Sequence, residues 1–341
     1  MRTDVRNSSD LFGAFRSEWR DLIADSDVAT PFQTPEWAET WLRWYGSGLR
    51  PFAVEIREGN DLIGLYPLVR GRSPWRPIRP IGTGPSDYLH PLARRGKEAD
   101  VSRAMRAWFS DRKGLLDLHQ IREDMPLGDE EGSLEQAVCL VLDLPRTYDE
   151  YLKTLGKSLR YDARRLDKLP IEITTGREVE VFLELHHRRW RKRGLPGAFI
   201  GRATGFHREW TAIAEREGWL RMTVLRHEGR AVGALYGMTL NKTSYYYQAG
   251  FDPEAKAISP GTLLVAHAIR TAIEEGRTAF DFMRGDESYK RRWKPTRELH
   301  NRRILRSSSN VIAKVGEVVN RQGFRVENRV RARLEGRGLL G

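Results

Sequence analysis

Residues 259–293 read SPGTLLVAHAIRTAIEEGRTAFDFMRGDESYKRRW, and their order decides the fold class. Ser259-Pro260-Gly261-Thr262 is a loop of small residues that opens into an apolar helix. Proline suits a first helical position, and the free amides of such a terminus suit an anion. Gly276 is placed to cap the helix at its C-terminal end. TAFDFM (278–283) then reads as a buried strand with Asp281 at its centre. Gly285 permits a sharp turn, and DESYKRRW continues as a short polar-aromatic helix. Loop, helix, strand and turn in this order make a helix laid between two strands of one sheet.

The segment before it supplies the rest of that sheet. WLRMTVLRHEGRAVGALYGMTL (219–240) is two strands around Glu228-Gly229, and KTSYYYQAGF (242–251) is a third. An earlier stretch repeats the pattern. PFAVEIREGNDLIGLYPLVRGR (51–72) is two strands turning at Gly59-Asn60-Asp61. REGNDLIGLYPL (57–68) aligns with RHEGRAVGALYGM (226–238), which pairs Gly64 with Gly233. Each copy continues into a helix, at 98–110 in the first, and then a strand with a central aspartate. LLDLHQI (115–121) around Asp117 corresponds to AFDFMRG around Asp281. The implied unit is a mixed, mostly antiparallel sheet flanked by helices, so the class is α+β with two tandem units. The expected boundaries are 1–145, 146–306 with a helical insertion, and a basic amphipathic helix at 307–341.

Elsewhere, Leu11, Phe15, Trp19, Leu22 and Ile23 keep helical spacing. Thr34-Pro35-Glu36 reads as a cap and first turn, followed by a core stripe of Trp37, Trp41, Trp44 and Tyr45. AVCLVLDL (137–144) reads as a buried strand, and residues 148–169 and 178–192 as helices.

With 341 residues, 40% hydrophobic and 30% charged, the composition excludes a disordered or collagenous chain. No apolar run is long enough to span a bilayer. The lone Cys139 permits no internal disulfide and reads as a small buried hydrophobe. With no leader-like start, the expected location is the cytoplasm. The net charge of +12 is concentrated from Ser288 onward, where fifteen Lys/Arg face Glu298, Glu317, Glu327 and Glu335. The remainder is almost neutral, which argues against nucleic acid as a general partner. In the tail, Ile312, Val315, Val319, Val326, Val330 and Leu334 form a helical stripe, with a kink expected at Gln322-Gly323. Arg321, Arg325, Arg329, Arg331 and Arg333 fall mostly off it. The reading adopted is that the stripe packs against its own domain. The alternative is a peripheral rest on an anionic membrane surface.

Four polar residues cluster past the strand end at 284: Asp286, Glu287, Tyr289 and Lys290. On spacing alone, Asp286 could equally cap the short helix while Tyr289 and Trp293 pack inward. Ser259 or Thr262 could likewise be a simple cap. Trp190, among Arg188, Arg189, Arg191, Lys192 and Arg193, offers an anion site or an ordinary solvated face. His186 and His187, with no acid nearby, read as surface. His119 and Asp124 share an H-x₄-D spacing that occurs by chance. No nucleophile elbow, phosphate-binding Walker loop, zincin motif or paired C-x-x-C occurs, and no metal is expected.

SPGTLL, the helix ending EEG and FDFMRGDESYKRRW resemble the C-terminal half of the GNAT-like acyltransferase domain of CelD/BioF2-type proteins. That family is related to the Fem aminoacyltransferases, which carry two GNAT units in tandem. The resemblance runs over 219–295 and more faintly over 32–145, where PFQTPEWAETW precedes the strand pair. It implies N-acyl transfer from acyl-CoA, acetyl-CoA first among donors. The amine acceptor would be an amino sugar or a cell-envelope or polysaccharide precursor. The implied mechanism is direct attack in a ternary complex. Ser259, Pro260, Gly261 and Thr262 would hold the donor. Asp286 or Glu287 would take the amine proton, Tyr289 would protonate the leaving thiolate, and Lys290 would hold a phosphate or carboxylate. Arg284, Gly285, Trp293, Tyr246, Asp87, Tyr88 and Trp190 would line the acceptor, and Asp281 would be structural. The donor loop has one glycine where acetyl-CoA enzymes of this fold usually carry more. An aminoacyl-tRNA donor, as in Fem enzymes, is the alternative. A catalytically inactive module binding anionic surfaces is a third reading.

Overall fold

The chain divides into two compact units, Met1–Val138 with Leu299–Gly341, and Cys139–Glu298. The computed structural model describes residues 1–7, 10–127, 133–307 and 310–336.

The first unit opens with an unforeseen strand, β1 (Arg2–Asn7), whose polar, half-exposed residues give no apolar alternation to read. Then come α1 (Phe15–Ala24), α2 (Pro35–Tyr45), β2 (Arg50–Glu58), β3 (Asp61–Arg70), β4 (Ile78–Pro80), β5 (Leu92–Ala93), α3 (Glu98–Ser110) and β6 (Leu115–Arg122). Phe15, Trp19, Leu22 and Ile23 are the buried face of α1, as their spacing predicts. The Thr34 hydroxyl accepts from the Trp37 amide at 3.2 Å and caps α2. The sheet runs β1-β2-β3-β4-β6, with β5 beside β3. All neighbours are antiparallel except β4 and β6.

β7 (Ser133–Asp143) carries the chain into the second unit. There follow α4 (Tyr148–Thr154), α5 (Lys157–Arg164), β8 (Ile171–Thr175), α6 (Val179–Lys192), α7 (Arg202–Arg216), β9 (Leu220–His227), β10 (Arg230–Leu240), β11 (Thr243–Phe251), α8 (Pro260–Glu274), β12 (Ala279–Arg284) and α9 (Ser288–Arg291). The helix expected over 148–169 breaks at Leu155-Gly156, where both residues adopt extended backbone. The sheet order is β7-β12-β11-β10-β9-β8, and only the β11–β12 pair is parallel.

The expected duplication is present in the topology. β2-β3-β4, α3 and a parallel β6 repeat as β9-β10-β11, α8 and a parallel β12. The aligned glycines do the same work in each copy. A Cβ at Gly64 would stand 2.5 Å from Val101 of α3, and one at Gly233 would stand 2.9 Å from Leu264 and 3.0 Å from Pro260 of α8. Each glycine lets its crossover helix press onto the central strand. Gly64→Ala is therefore expected to lower stability by about 1–3 kcal/mol through overpacking against a stiff β-branched side chain. Urea denaturation with an unchanged slope would show it.

The expected boundaries at 145 and 306 are corrected by the last strand, β13 (Arg297–Ser307). From Leu299 it belongs to the first unit, where it pairs antiparallel with β6. Its sequence, RELHNRRILRS, is too charged to show a strand period. The charge is accommodated by pairing. Asp117 of β6 is fully buried and accepts from Arg303 Nε at 2.8 Å, with Arg79 Nη2 at 2.7 Å and His119 Nε2 at 3.0 Å. Asp124 instead pairs with Arg122.

The tail helix α10 (Val311–Gly336) also belongs to the first unit, and it runs unbroken through Gly323. It docks by the face opposite to the expected one. Ala313 and Phe324 are buried, and Gly316 meets the Trp75 ring. The aliphatic stripe of Ile312, Val315, Val319, Val326 and Val330 is exposed. The Arg331 side chain and Arg337 lie outside the described residues. No helix of the described residues is long and apolar enough to cross a membrane.

Candidate functional site

The site of the second unit is built where β11 and β12 part. Their parallel pairing covers only Thr243–Tyr245 against Ala279–Asp281. Beyond that, β12 bulges against β7. Met283 takes a φ of 60°, unusual for a non-glycine residue, and its amide is held at 2.7 Å by the Asp281 carboxylate. Asp281 is thus structural, as expected: it fixes the distortion that ends the strand.

Gly285 follows at φ 118°, and its missing Cβ is what seats the catalytic candidate. A methyl there would lie 2.5 Å from Glu287 Oε2 and 2.6 Å from Oε1. The Glu287 carboxylate therefore rests directly on the glycine. Lys290 locks this turn from below. It is buried, and its Nζ donates to the carbonyls of Arg284 at 2.8 Å and Gly285 at 3.3 Å. The same Nζ stands 2.9 Å from Glu287 Oε2, off the line of a hydrogen bond, so that buried oxygen keeps its accepting capacity. The expected role of Lys290 in holding a substrate anion is corrected, because its ammonium is consumed inside the turn.

Asp286 is exposed and turned outward onto Arg291, which also bridges to Glu298. The Arg291 hydrogen bond holds the Asp286 carboxyl below its ordinary range. Asp286 does not cap α9, because the residue in the N-cap position is Glu287. The two acids so close in sequence face different surroundings.

Two tyrosines complete this corner. The hydroxyls of Tyr289 and Tyr246 are hydrogen-bonded to each other, and burial raises both above the ordinary phenol value, Tyr289 well above it. Both stay protonated near neutral pH and can donate. Glu287 lies near enough to act electrostatically on both, as does Arg189. Trp293 is buried, and its carbonyl accepts from Tyr151 at 2.8 Å.

Arg189 also belongs to a cavity of about 380 Å³ at the start of α8. Ser259, Pro260, Gly261 and Thr262 line it, together with Arg189, Lys192, Arg193, Lys256 and Phe251. Ser259 is left-handed at φ 58°. Pro260 has no amide hydrogen, and the Thr262 and Leu263 amides close on the Ser259 carbonyl at 3.0 and 3.2 Å. The Gly261 amide is thus the open donor of the first turn. Arg189 lies over the Phe251 ring, 4.5 Å from its centroid. The one acid in the lining, Asp252, is neutralised by Arg188 at 3.0 Å. Four cations, of which Lys192 is also paired with Glu254, and the positive end of the α8 dipole make this wall electropositive. The expected donor residues and the basic run at 188–193, distant in sequence, are brought together here. Lys256, a lone lysine in a loop, carries no sequence pattern that marks it.

Trp190 is half-buried against His186 and below Arg193. His186 corrects the surface expectation: it is fully buried among Phe182, Phe199 and Trp190, and burial holds its pKa down near about 3. Asp87 and Tyr88 lie in the first unit and are buried there. The Asp87 carbonyl accepts from Asn301 at 2.7 Å. In that unit the loop before α3 has its cations paired away: Arg94 to Asp25, Arg95 to Asp27 and Lys97 to Glu58. In the second unit Lys192 is likewise ion-paired, with Glu254.

Residues 154–291 match the family model of the acetyltransferase (GNAT) domain. No curated protein matches the sequence. Among solved structures, FemX superposes with a TM-score of 0.62 at 11% identity, over 88% of this chain and 97% of that one. The C-terminal DUF2156 domain of an Agrobacterium fabrum protein named for lysylphosphatidylglycerol synthesis gives 0.55 at 10% identity, over 90% and 96%. A Bacteroides thetaiotaomicron protein of unknown function gives 0.52 at 13% identity, over 85% and 97%. At these identities the likeness is one of fold.

Proposed function

We propose, from the match of residues 154–291 to the GNAT domain model, that this chain is an N-acyltransferase working by direct attack of an amine on an activated acyl donor. The observation that carries the reading is the placement of Arg189. It lines the cationic wall at α8 and acts on the Tyr246–Tyr289 pair beside Glu287. A phosphate-bearing donor seated on that wall would have its acyl end directed toward a base and a proton donor.

In this reading the Gly261 amide, Lys192, Arg193 and Lys256 bind the donor phosphates. Acyl-CoA, with acetyl-CoA first, is the proposed donor, and it supplies the thioester. The amine attacks the carbonyl carbon, so that a C–N bond forms and the C–S bond breaks. Glu287 Oε2 receives the amine proton. The Tyr289 hydroxyl gives its proton to the departing sulfur and is replenished through Tyr246. Holding both substrates together supplies much of the acceleration. The acceptor we propose is an amino sugar or an amine-bearing precursor of the cell envelope. The same wall would suit the backbone of an aminoacyl-tRNA, so the donor must be separated by experiment.

The test sets CoA and acetyl-CoA against aminoacyl-tRNA in thermal-shift and transfer assays. Stabilisation by CoA and release of free thiol are expected. Lys192→Ala combined with Arg193→Ala should weaken donor binding roughly tenfold with little change in turnover. Stabilisation and transfer with aminoacyl-tRNA alone would overturn the acyl-CoA reading.

A further inference from the structure

We infer that α10 is a membrane-docking element that seats this protein on an anionic lipid surface. The inference begins from its packing. Over its length the helix gives the first unit only a narrow face, through Ala313, Gly316, Asn320 and Phe324. The opposite face carries Val311, Ile312, Val315, Val318, Val319, Val326 and Val330, each between 50 and 73% exposed. Seven branched aliphatics along one helix make an apolar face, interrupted at Gln322, with nothing of the described chain over it. Such a surface marks an interaction site.

Charge decides the occupant. The exposed side also carries Lys314, Arg325, Arg329 and Arg333. By helical spacing Arg329 and Arg333 continue the row of Val311 and Val315, while Arg325 and Lys314 flank it. The acids lie elsewhere. Glu317 is turned inward, bonding the Ser307 hydroxyl at 2.6 Å and Arg321 at 3.0 Å. Glu327 falls in the row of Gly316 and Asn320. Among the described side chains the face is therefore aliphatic and cationic with no acid on it. Two copies meeting through it would bring their arginines together, and an acidic protein would still have to cover the aliphatic ridge. A bilayer with anionic headgroups satisfies both, since the valines enter the acyl boundary while the arginine stems reach back to phosphates.

Sedimentation of the full chain with vesicles tests this directly. Binding to phosphatidylcholine vesicles containing phosphatidylglycerol is expected, at least roughly tenfold above pure phosphatidylcholine and falling with salt. Val315→Asp with Val319→Asp should abolish it. These positions are exposed, so circular dichroism and melting temperature should not change. Arg325→Gln with Arg329→Gln should reduce it severalfold while leaving the apolar face intact. The inference is overturned if the chain ignores anionic vesicles at low salt. It is also overturned if light scattering shows a dimer that Val319→Asp dissolves.

Discussion

Glu287→Gln is expected to lower turnover by about 10²–10⁴-fold, the usual contribution of a general base, with little change in donor binding. Glutamine keeps the size of the side chain over Gly285 and the contact with Lys290, but it cannot receive a proton at Oε2. Asp286→Asn is the matched control. That carboxylate faces outward onto Arg291, so its loss should change turnover by no more than about threefold. Gly285→Ala should resemble Glu287→Gln for a different reason. Its methyl would lie 2.5 Å from Glu287 Oε2 and would be strained at φ 118°, so the carboxylate must move. Steady-state thiol release resolves the three. Full turnover in Glu287→Gln would remove this residue from the mechanism. A loss confined to Asp286→Asn would transfer the role to its neighbour.

The second large effect concerns stability, and it arises in the first unit. Asp117→Ala is expected to destabilise that unit by about 3–5 kcal/mol, because it leaves a buried charge unmatched. Arg303 is itself buried and is held by the Asp117 carboxylate. Burial alone would raise the Asp117 carboxyl. Hydrogen bonds from His119 and Arg303 outweigh burial and hold it well below the ordinary range. Its folded-state pKa is therefore lower than its unfolded one. The stabilisation is complete above the ordinary carboxylate pKa, roughly pH 4, and is lost as pH falls toward the folded value. Urea titrations should show the wild type losing stability on acidification, with Asp117→Asn weaker at pH 7 and flatter toward acid. A variant as stable as wild type at pH 7 would show that the cluster is not a stabilising one.

Much of the second unit is legible in the sequence because each of its parts has a local physical signature. Pro260 opens α8 and Gly276 closes it. The apolar period of 263–273 gives its buried face, and Gly285 announces the turn. The aligned Gly64 and Gly233 were legible as a repeat before their shared reason, the close approach of a helix, was visible. What escaped depends on partners distant in the chain. β13 is a strand only because β6 offers a ladder and Asp117 offers its arginines a counter-charge. The aliphatic stripe of α10 is as regular as a buried one, and spacing alone cannot say which face a helix turns inward. His186 looked polar because its neighbours in sequence are arginines, whereas its neighbours in space are aromatic rings. Lys290 reads as a ligand-binding cation because sequence does not show a side chain folding back onto its own turn.

The late return of β13 has a consequence for biosynthesis. The strand beside β6 is made only after the whole second unit has been synthesised. At translation rates this is a delay of roughly ten seconds or more. The second unit is one continuous segment, Cys139–Glu298, and can complete itself while the chain is still growing. The first unit waits through that interval with an unpaired strand edge and with Asp117 lacking its Arg303 partner. The order of maturation is thus the reverse of the order of synthesis, and the unit that emerges first depends longer on whatever shields an open edge in the cell.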